Sequence, residues 1–172
     1  MKVGTRSILF GAHAFWIHPF FVAWGWTKLY GFPFDPRLWF AFFVHDLGYW
    51  GKPNTDGDEG ESHVFTGADI MYALFGDEWW DFCVYHSRFW SSKYDKRPSR
   101  LCYADKLAFV LTPWWLYRIL ANASGEIHEY MERSKAGGKY ESFHIYSDDQ
   151  RTWFEAGKAY NLKWIKEQTG AE

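Results

Sequence analysis

The chain has 172 residues, a length that fits one domain with a substantial hydrophobic core. Apolar residues make up 48% of it, which excludes a disordered chain, and a formal net charge of −2 argues against a protein that binds duplex nucleic acid through its phosphates. The two cysteines, Cys83 and Cys102, are too few for a disulfide scaffold and favour a reducing compartment. We therefore expect a cytoplasmic globular protein.

Aromatic residues account for 23% of the chain and crowd its first fifty positions. A membrane-spanning helix needs about 18 or more consecutive apolar residues. The first aromatic run is interrupted by His18, Pro19 and Lys28, and the second ends at His45-Asp46. The sequence therefore predicts no transmembrane segment, and we assign most of the aromatic side chains to the core.

Helical patterns recur along the whole chain, whereas strand alternation is weak and confined to 140–146. Asp35-Pro36 and Thr112-Pro113 each combine an N-cap residue with a proline that suits the first helical turn. The predicted helices cover about 5–30 with a bend at Pro19, 35–49, 62–75, 76–90, 99–111, 112–134 with a break at 122–125, and a last helix from 147. The sequence predicts an all-α fold in a single domain over 1–172.

The last predicted helix is amphipathic and begins at a capping box, Ser147-Asp148-Asp149-Gln150. Its apolar face carries Trp153, Phe154, Ala156, Tyr160 and Trp164. Aromatic side chains left exposed on this helix would suit the interface of a homodimer.

Histidine and aspartate residues recur in an ordered pattern within apolar segments of the predicted helices. They are His18, His45, Asp46, His63, His86 and Asp105. A single buried histidine is usually an ordinary core residue, but an uncompensated buried charge is costly. Four histidines and two acids on successive helices satisfy one another most economically around shared metal ions.

This ordered set, H…HD…H…H…D, resembles the signature of the HD-domain superfamily of metal-dependent phosphohydrolases. The stretches HPFFVAWGW, LWFAFFVHDLG, HVFTGADIM, YHSRF and YADKLAF carry the resemblance, which runs from about residue 14 to 111. It implies a single HD-domain helical bundle, with residues from about 112 to 172 as a C-terminal helical extension. It also implies an enzyme that hydrolyses a small phosphate ester, for which we expect a nucleotide.

Because it has both His63 and His86, the chain resembles the members of that superfamily that bind two metals. The resemblance implies one metal held by His18, His45, Asp46 and Asp105, and a second held by His63 and His86, with Asp46 as the bridge. Imidazole and carboxylate ligands suit two divalent transition-metal ions such as Fe, Mn, Co, Ni or Zn. Such ions activate a water and accept charge that develops on a phosphoryl oxygen.

The other histidines are assigned to different roles. His13 competes with His18 for the first ligand position, but five residues separate the two, so they cannot occupy the same place on a helix. We favour His18, which leaves His13 as a pocket residue or a support for the ligands. His128 and His144 lie in polar segments and are assigned to the surface.

Several side chains are candidates for the reaction itself. Asp46 is the central one, and Lys52, Arg88 and Lys106 are candidate phosphate-binding residues. Many HD-domain proteins carry a lysine in the pattern HD-x-G-K, and Tyr49 stands at that position here.

Two other functions fit the same ligands. Some HD-superfamily members are mixed-valent di-iron oxygenases, although the Tyr and Glu that precede the first ligand in the phosphonate-cleaving members have no counterpart before His18. A non-catalytic module that binds metal or nucleotide is a further alternative.

Overall fold

The computed structural model describes residues 1–136 and 145–170, and within these ranges all regular secondary structure is helical, with no strand. The prediction of an all-α fold is confirmed. The α-helices are α1 (Val3–Phe10), α2 (His18–Tyr30), α3 (Pro36–Val44), α4 (Asp58–Glu61), α5 (Val64–Phe75), α6 (Asp77–Val84), α7 (Arg88–Lys93), α8 (Arg100–Leu111), α9 (Trp114–Ser124), α10 (Glu126–Ala136) and α11 (Gln150–Thr169), with a 3-10 helix at Leu47–Tyr49. Most of the segment with weak strand character, 140–146, lies outside the described residues.

The predicted first helix over 5–30 is in fact two helices, α1 and α2, separated by turns at 11–17. Pro19 occupies the second position of α2 rather than a bend within one long helix. Proline is favoured there because the N–H that it lacks would have no helical partner at that position. The prediction of one bent helix was therefore wrong, and His18 becomes the first residue of α2.

Other helices are also shorter than their patterns predicted. The helix expected over 76–90 ends at Val84, and Ser87 caps a new helix by accepting hydrogen bonds from the N–H groups of Phe89 and Trp90. His86 therefore lies in a turn rather than in the middle of a helix. The break allows the chain to change direction at a histidine of the ordered set.

The capping box predicted at 147–150 is displaced by two residues. Asp149, not Ser147, is the N-cap of α11, and its side chain accepts a hydrogen bond from the backbone N–H of Thr152. Both residues are typical helix caps, and the sequence pattern alone did not discriminate between them.

The main hydrophobic core lies among α2, α3, α5, α6 and α8. A second cluster joins α9, α10 and α11, and its buried members are Tyr117, Ala121, Ile127, Met131, Trp153 and Phe154. On α11, Trp153 and Phe154 are buried and Tyr160 and Trp164 are half-buried, so only part of the predicted aromatic face is exposed. The homodimer stays a prediction. Exposed aromatic rings occur on α2, on α3 and in the loop between them, with Phe34 85% exposed.

In the parts of the chain that the structure describes, no helix combines the length and the apolar content that crossing a membrane requires.

The close contact of α2 with α8 brings His18 near Asp105, and Gly25 makes that contact possible. A Cβ atom added at Gly25 would lie 2.5 Å from the carbonyl oxygen of Ala104. Glycine normally weakens a helix, so its presence in the middle of α2 is explained by this backbone approach.

We expect Gly25→Ala to lower the free energy of unfolding by about 2 kcal/mol, because the crowding outweighs the better helix propensity of alanine. Urea denaturation followed by circular dichroism measures the change. Lys28→Ala, at an exposed position of the same helix, is the control and should alter stability by less than about 0.5 kcal/mol. A more stable Gly25→Ala protein would contradict the close approach.

Candidate metal centre

Six side chains of the ordered set converge in the interior from five parts of the fold. His18 begins α2, His45 and Asp46 follow α3, His63 precedes α5, His86 follows α6, and Asp105 lies in the middle of α8. Five of them are buried and His18 is nearly so. Their polar atoms form two groups that share Asp46.

The first group consists of His18, His45, Asp46 and Asp105. Nε2 of His18 lies 3.0 Å from Oδ1 of Asp105 and 3.4 Å from Oδ2 of Asp46. Nε2 of His45 lies 3.2 Å from the same Oδ2 atom. Metal–ligand bonds of about 2.0–2.2 Å place the ligands of one ion roughly 3–4.5 Å apart, so the spacing suits a single ion.

The second group consists of Asp46, His63 and His86. Oδ1 of Asp46 lies 3.4 Å from Nε2 of His63 and 3.5 Å from Nε2 of His86. Asp46 thus presents Oδ2 to the first group and Oδ1 to the second. This is the placement of a carboxylate that could bridge two ions.

Hydrogen bonds to the backbone orient three of the imidazole rings. Nδ1 of His45, of His63 and of His86 each approaches the carbonyl oxygen of the residue three positions earlier, at 3.0 Å for His45 and 2.7 Å for His63. Because a carbonyl oxygen only accepts, each Nδ1 carries the hydrogen. In the neutral ring the lone pair is then on Nε2, which points into the cluster and is the form that binds a metal.

The cluster does not satisfy its own polar atoms. The Nε2 atoms of His63 and His86 lie 3.2 Å apart, and two lone pairs at that distance repel unless a cation or a proton lies between them. Nε2 of His18, Nε2 of His45 and Oδ2 of Asp46 are buried without a hydrogen-bond partner. Buried polar atoms of this kind are rare, and a bound metal ion would satisfy them.

The electrostatic environment keeps both aspartates of the cluster ionised and His86 neutral. His45 differs, because burial alone would lower its pKa but the charge of Asp46 raises it. Burial alone would raise the pKa of Asp46, but its interaction with the imidazole of His45 holds it well below the usual range. Burial likewise opposes the ionisation of Asp105, and the ammonium group of Lys106 lowers its pKa. For His86, burial lowers the pKa to about 4. Ionised carboxylates and neutral imidazoles are the forms that bind metal ions.

A cavity of about 450 Å³ opens from the cluster. Two of the predicted phosphate-binding residues, Arg88 and Lys106, line it, together with Arg133. Nζ of Lys106 donates to Oδ2 of Asp105 at 2.9 Å, and the Arg88 guanidinium lies 5.6 Å and 5.2 Å from the ring centres of Tyr160 and Trp164.

Lys52 does not reach this cavity. It is absent from the described residues that line it, because its Nζ donates to Oγ of Ser62 at 2.6 Å. The acidic segment at 56–61 contributes Asp56, Asp58 and Glu61 to the cavity wall. Asp56 is paired there with Arg133 at 3.1 Å.

Tyr49 packs against the cluster. Its ring is stacked on that of His63, with the ring centres 3.9 Å apart. This contact holds the His63 ring from one side.

His13 lies beside the cluster but belongs to neither ligand group. Its ring is 5.5 Å from that of His18, and its Nδ1 lies 3.2 Å from Oε2 of the fully buried Glu126. Burial alone would lower the pKa of His13, but the Glu126 hydrogen bond and the nearby carboxylates raise it to about 9. Sequence reasoning missed Glu126, because its neighbours EIHEY give no sign of burial.

The remaining histidines lie elsewhere. His128 is exposed on α10, as predicted, and His144 lies outside the described residues.

Comparisons of the chain with protein-family models, with curated proteins and with solved structures find no match. The description of the site therefore rests on its geometry. It shows a buried cluster of four histidines and two aspartates that is compatible with bound metal ions.

Replacing the shared carboxylate tests the two-group arrangement. Asp46→Asn keeps the side-chain shape but removes the charge and one ligand oxygen, so we expect it to lose at least one of two bound ions. Mass-spectrometric metal analysis after loading with Mn, Fe or Zn and dialysis measures the stoichiometry. Asp81→Asn, at an exposed position of α6, should bind metal as the unchanged protein does. Equal metal content in both variants would contradict the assignment of Asp46.

Proposed function

We propose that this chain is a member of the HD-domain superfamily and a metal-dependent phosphohydrolase that acts on a small phosphate ester, with a nucleotide as the favoured substrate. The observation that carries the proposal is the position of Asp46, with one oxygen facing each of two ligand groups. The ligands also follow one another along the chain in the order H…HD…H…H…D that is typical of two-metal members.

The donor set supports a catalytic rather than a structural centre. It contains imidazole and carboxylate groups only, and both buried cysteines lie outside it. Such ligands suit Fe, Mn, Co, Ni or Zn, whereas structural zinc sites usually rely on cysteine. Divalent ions held there would supply Lewis acidity and would lower the pKa of a coordinated water.

The cationic side chains of the cavity provide a place for a phosphate. Lys106 is adjacent to the ligand Asp105 and is held by it, so its ammonium group stays beside the cluster. Arg88 is held against two aromatic rings of α11 and keeps its guanidinium at the cavity wall. Guanidinium groups bind phosphate oxygens in a bidentate manner, and an ammonium group acts as a point charge.

The aromatic side chains of the cavity suit the organic part of the substrate. Phe21, Phe109, Tyr117 and Trp153 all contribute to the lining. Aromatic faces bind flat rings by stacking and exclude water from the bound group. A nucleotide combines such a ring with a phosphate, which is the reason that we favour it.

A panel of phosphate esters tests the proposed reaction. We expect the protein loaded with one of Mn, Fe, Co, Ni or Zn to release phosphate from a nucleoside mono- or triphosphate, a dinucleotide or an aryl phosphate. Asp46→Ala should lower the rate by at least about a thousandfold, because the shared ligand of the centre is lost. Hydrolysis that survives in Asp46→Ala would contradict the proposal. With metal bound but no ester cleaved, oxygen uptake by the iron-loaded protein would favour an oxygenase, and nucleotide binding without turnover would favour a non-catalytic module.

Arg88 offers a separate test of phosphate binding. We expect Arg88→Ala to raise KM about tenfold while the metal content is unchanged, a loss of about 1.4 kcal/mol of binding. Steady-state kinetics on the best ester of the panel measure the effect. Arg118→Ala, at an exposed position of α9, is the matched control. A KM equal to that of the control would remove Arg88 from the substrate site.

A further inference from the structure

Glu126 is a buried acid near the cavity that, unlike Asp46 and Asp105, lies outside both metal-ligand groups. It is the first residue of α10 and is fully buried. Its Oε1 accepts hydrogen bonds from the backbone N–H of Ala12 and from Oγ of Ser124 at 2.8 Å. Its Oε2 accepts from Oγ of Ser7 at 2.6 Å. Both oxygens of this carboxylate are therefore satisfied by the protein.

These partners come from distant parts of the chain and fit closely. Ser7 is 119 positions from Glu126 in the sequence, and both serines are fully buried. A Cβ atom added at Gly11 would lie 2.6 Å from Oε1 of Glu126. The absence of a side chain at Gly11 allows the turn after α1 to close over the carboxylate. The Glu126 carboxylate is therefore enclosed by closely packed hydrogen-bond donors.

The remaining partner of this carboxylate is His13. Its Nδ1 lies 3.2 Å from Oε2 of Glu126 and 2.8 Å from Oγ of Ser7. Because Oγ of Ser7 donates its hydrogen to Glu126, it accepts from Nδ1 of His13. Nδ1 is thereby occupied, and Nε2 is the ring nitrogen that remains for a ligand.

The His13 ring lies at the cavity wall and packs against two other rings. His13 lines the cavity, and its ring packs against those of His18 and Tyr49, with the centres 5.5 Å and 4.9 Å apart. The ring is thus held by hydrogen bonds on one edge and by two aromatic neighbours. A contact that served only to join α1 to α10 would not need an imidazole facing the cavity beside a candidate metal ligand.

We propose that His13 is a substrate-contacting residue whose Nε2–H donates a hydrogen bond to an oxygen of the bound phosphate ester, and that Glu126 is the positioning residue that fixes its ring. The identity of the ligand rests on the proposed phosphohydrolase function. The placement of the two residues rests on the contacts of Glu126 and His13 themselves.

Kinetics of single and double variants test this pair. We expect His13→Ala to lower kcat/KM for the best ester about fiftyfold and Glu126→Gln to lower it about tenfold, with the metal content of each unchanged. The double variant should be no worse than His13→Ala, because Glu126 acts through His13. Glu132→Gln, at an exposed position of α10, is the matched control. If His13→Ala keeps kcat/KM within twofold of the control, or if the two losses multiply, the proposal is overturned.

Two further readouts keep the result interpretable. Thermal unfolding identifies a variant that fails to fold. If Glu126→Gln does so, His13→Ala alone decides the proposal, since its side chain is partly exposed. If the unchanged protein cleaves no ester, the proposed function fails, and calorimetric titration of the metal-loaded protein with inorganic pyrophosphate tests His13 separately. A dissociation constant about tenfold weaker in His13→Ala supports the contact, whereas equal affinity, or no binding to the unchanged protein, overturns it.

Discussion

The arrangement of the interior depends on the buried carboxylate of Asp46. An ionised group without water is costly unless opposite charge or hydrogen-bond donors surround it. Nε2 atoms of four histidines lie within 3.5 Å of its two oxygens. Three of those rings, His45, His63 and His86, use their Nδ1 hydrogens on backbone carbonyl groups, so their Nε2 atoms face the carboxylate as acceptors. Metal ions bound between the Nε2 atoms and the carboxylate oxygens would remove the repulsion between these acceptors. The helix ends hold most of the ligands at distances that suit such ions.

Helix ends rather than helix interiors provide most of these ligands, for a reason that the hydrogen bonds explain. The last carbonyl groups of a helix have no partner within it. His45, His63 and His86 each follow a helix, and each donates from Nδ1 to a carbonyl oxygen of its last turn. The hydrogen bond at each helix end also turns Nε2 toward the cluster. The end of a helix thus helps to orient a ligand at three places in the fold.

The buried acids Asp46 and Glu126 are stabilised in different ways. Asp46 has a buried oxygen without a hydrogen-bond partner, whereas Glu126 accepts hydrogen bonds at both oxygens from serine hydroxyls and a backbone N–H. An acid with unsatisfied oxygens suits a metal ligand. An acid that is fully hydrogen-bonded suits the orientation of a neighbour, and that neighbour here is His13. This difference in hydrogen bonding is the reason that we assign Asp46 to metal binding and Glu126 to the positioning of a side chain.

The sequence by itself determined the helical class and the six polar residues that meet in the core, because helical periodicity and costly charges in apolar segments are local signals. It left His13 and His18 as competitors, and it included Lys52 among the residues expected to bind phosphate. Only the tertiary structure placed His18 within a ligand group and Lys52 against Ser62. It alone brought Glu126 to His13, because a contact across 113 positions depends on how α1 and α10 pack and leaves no local pattern.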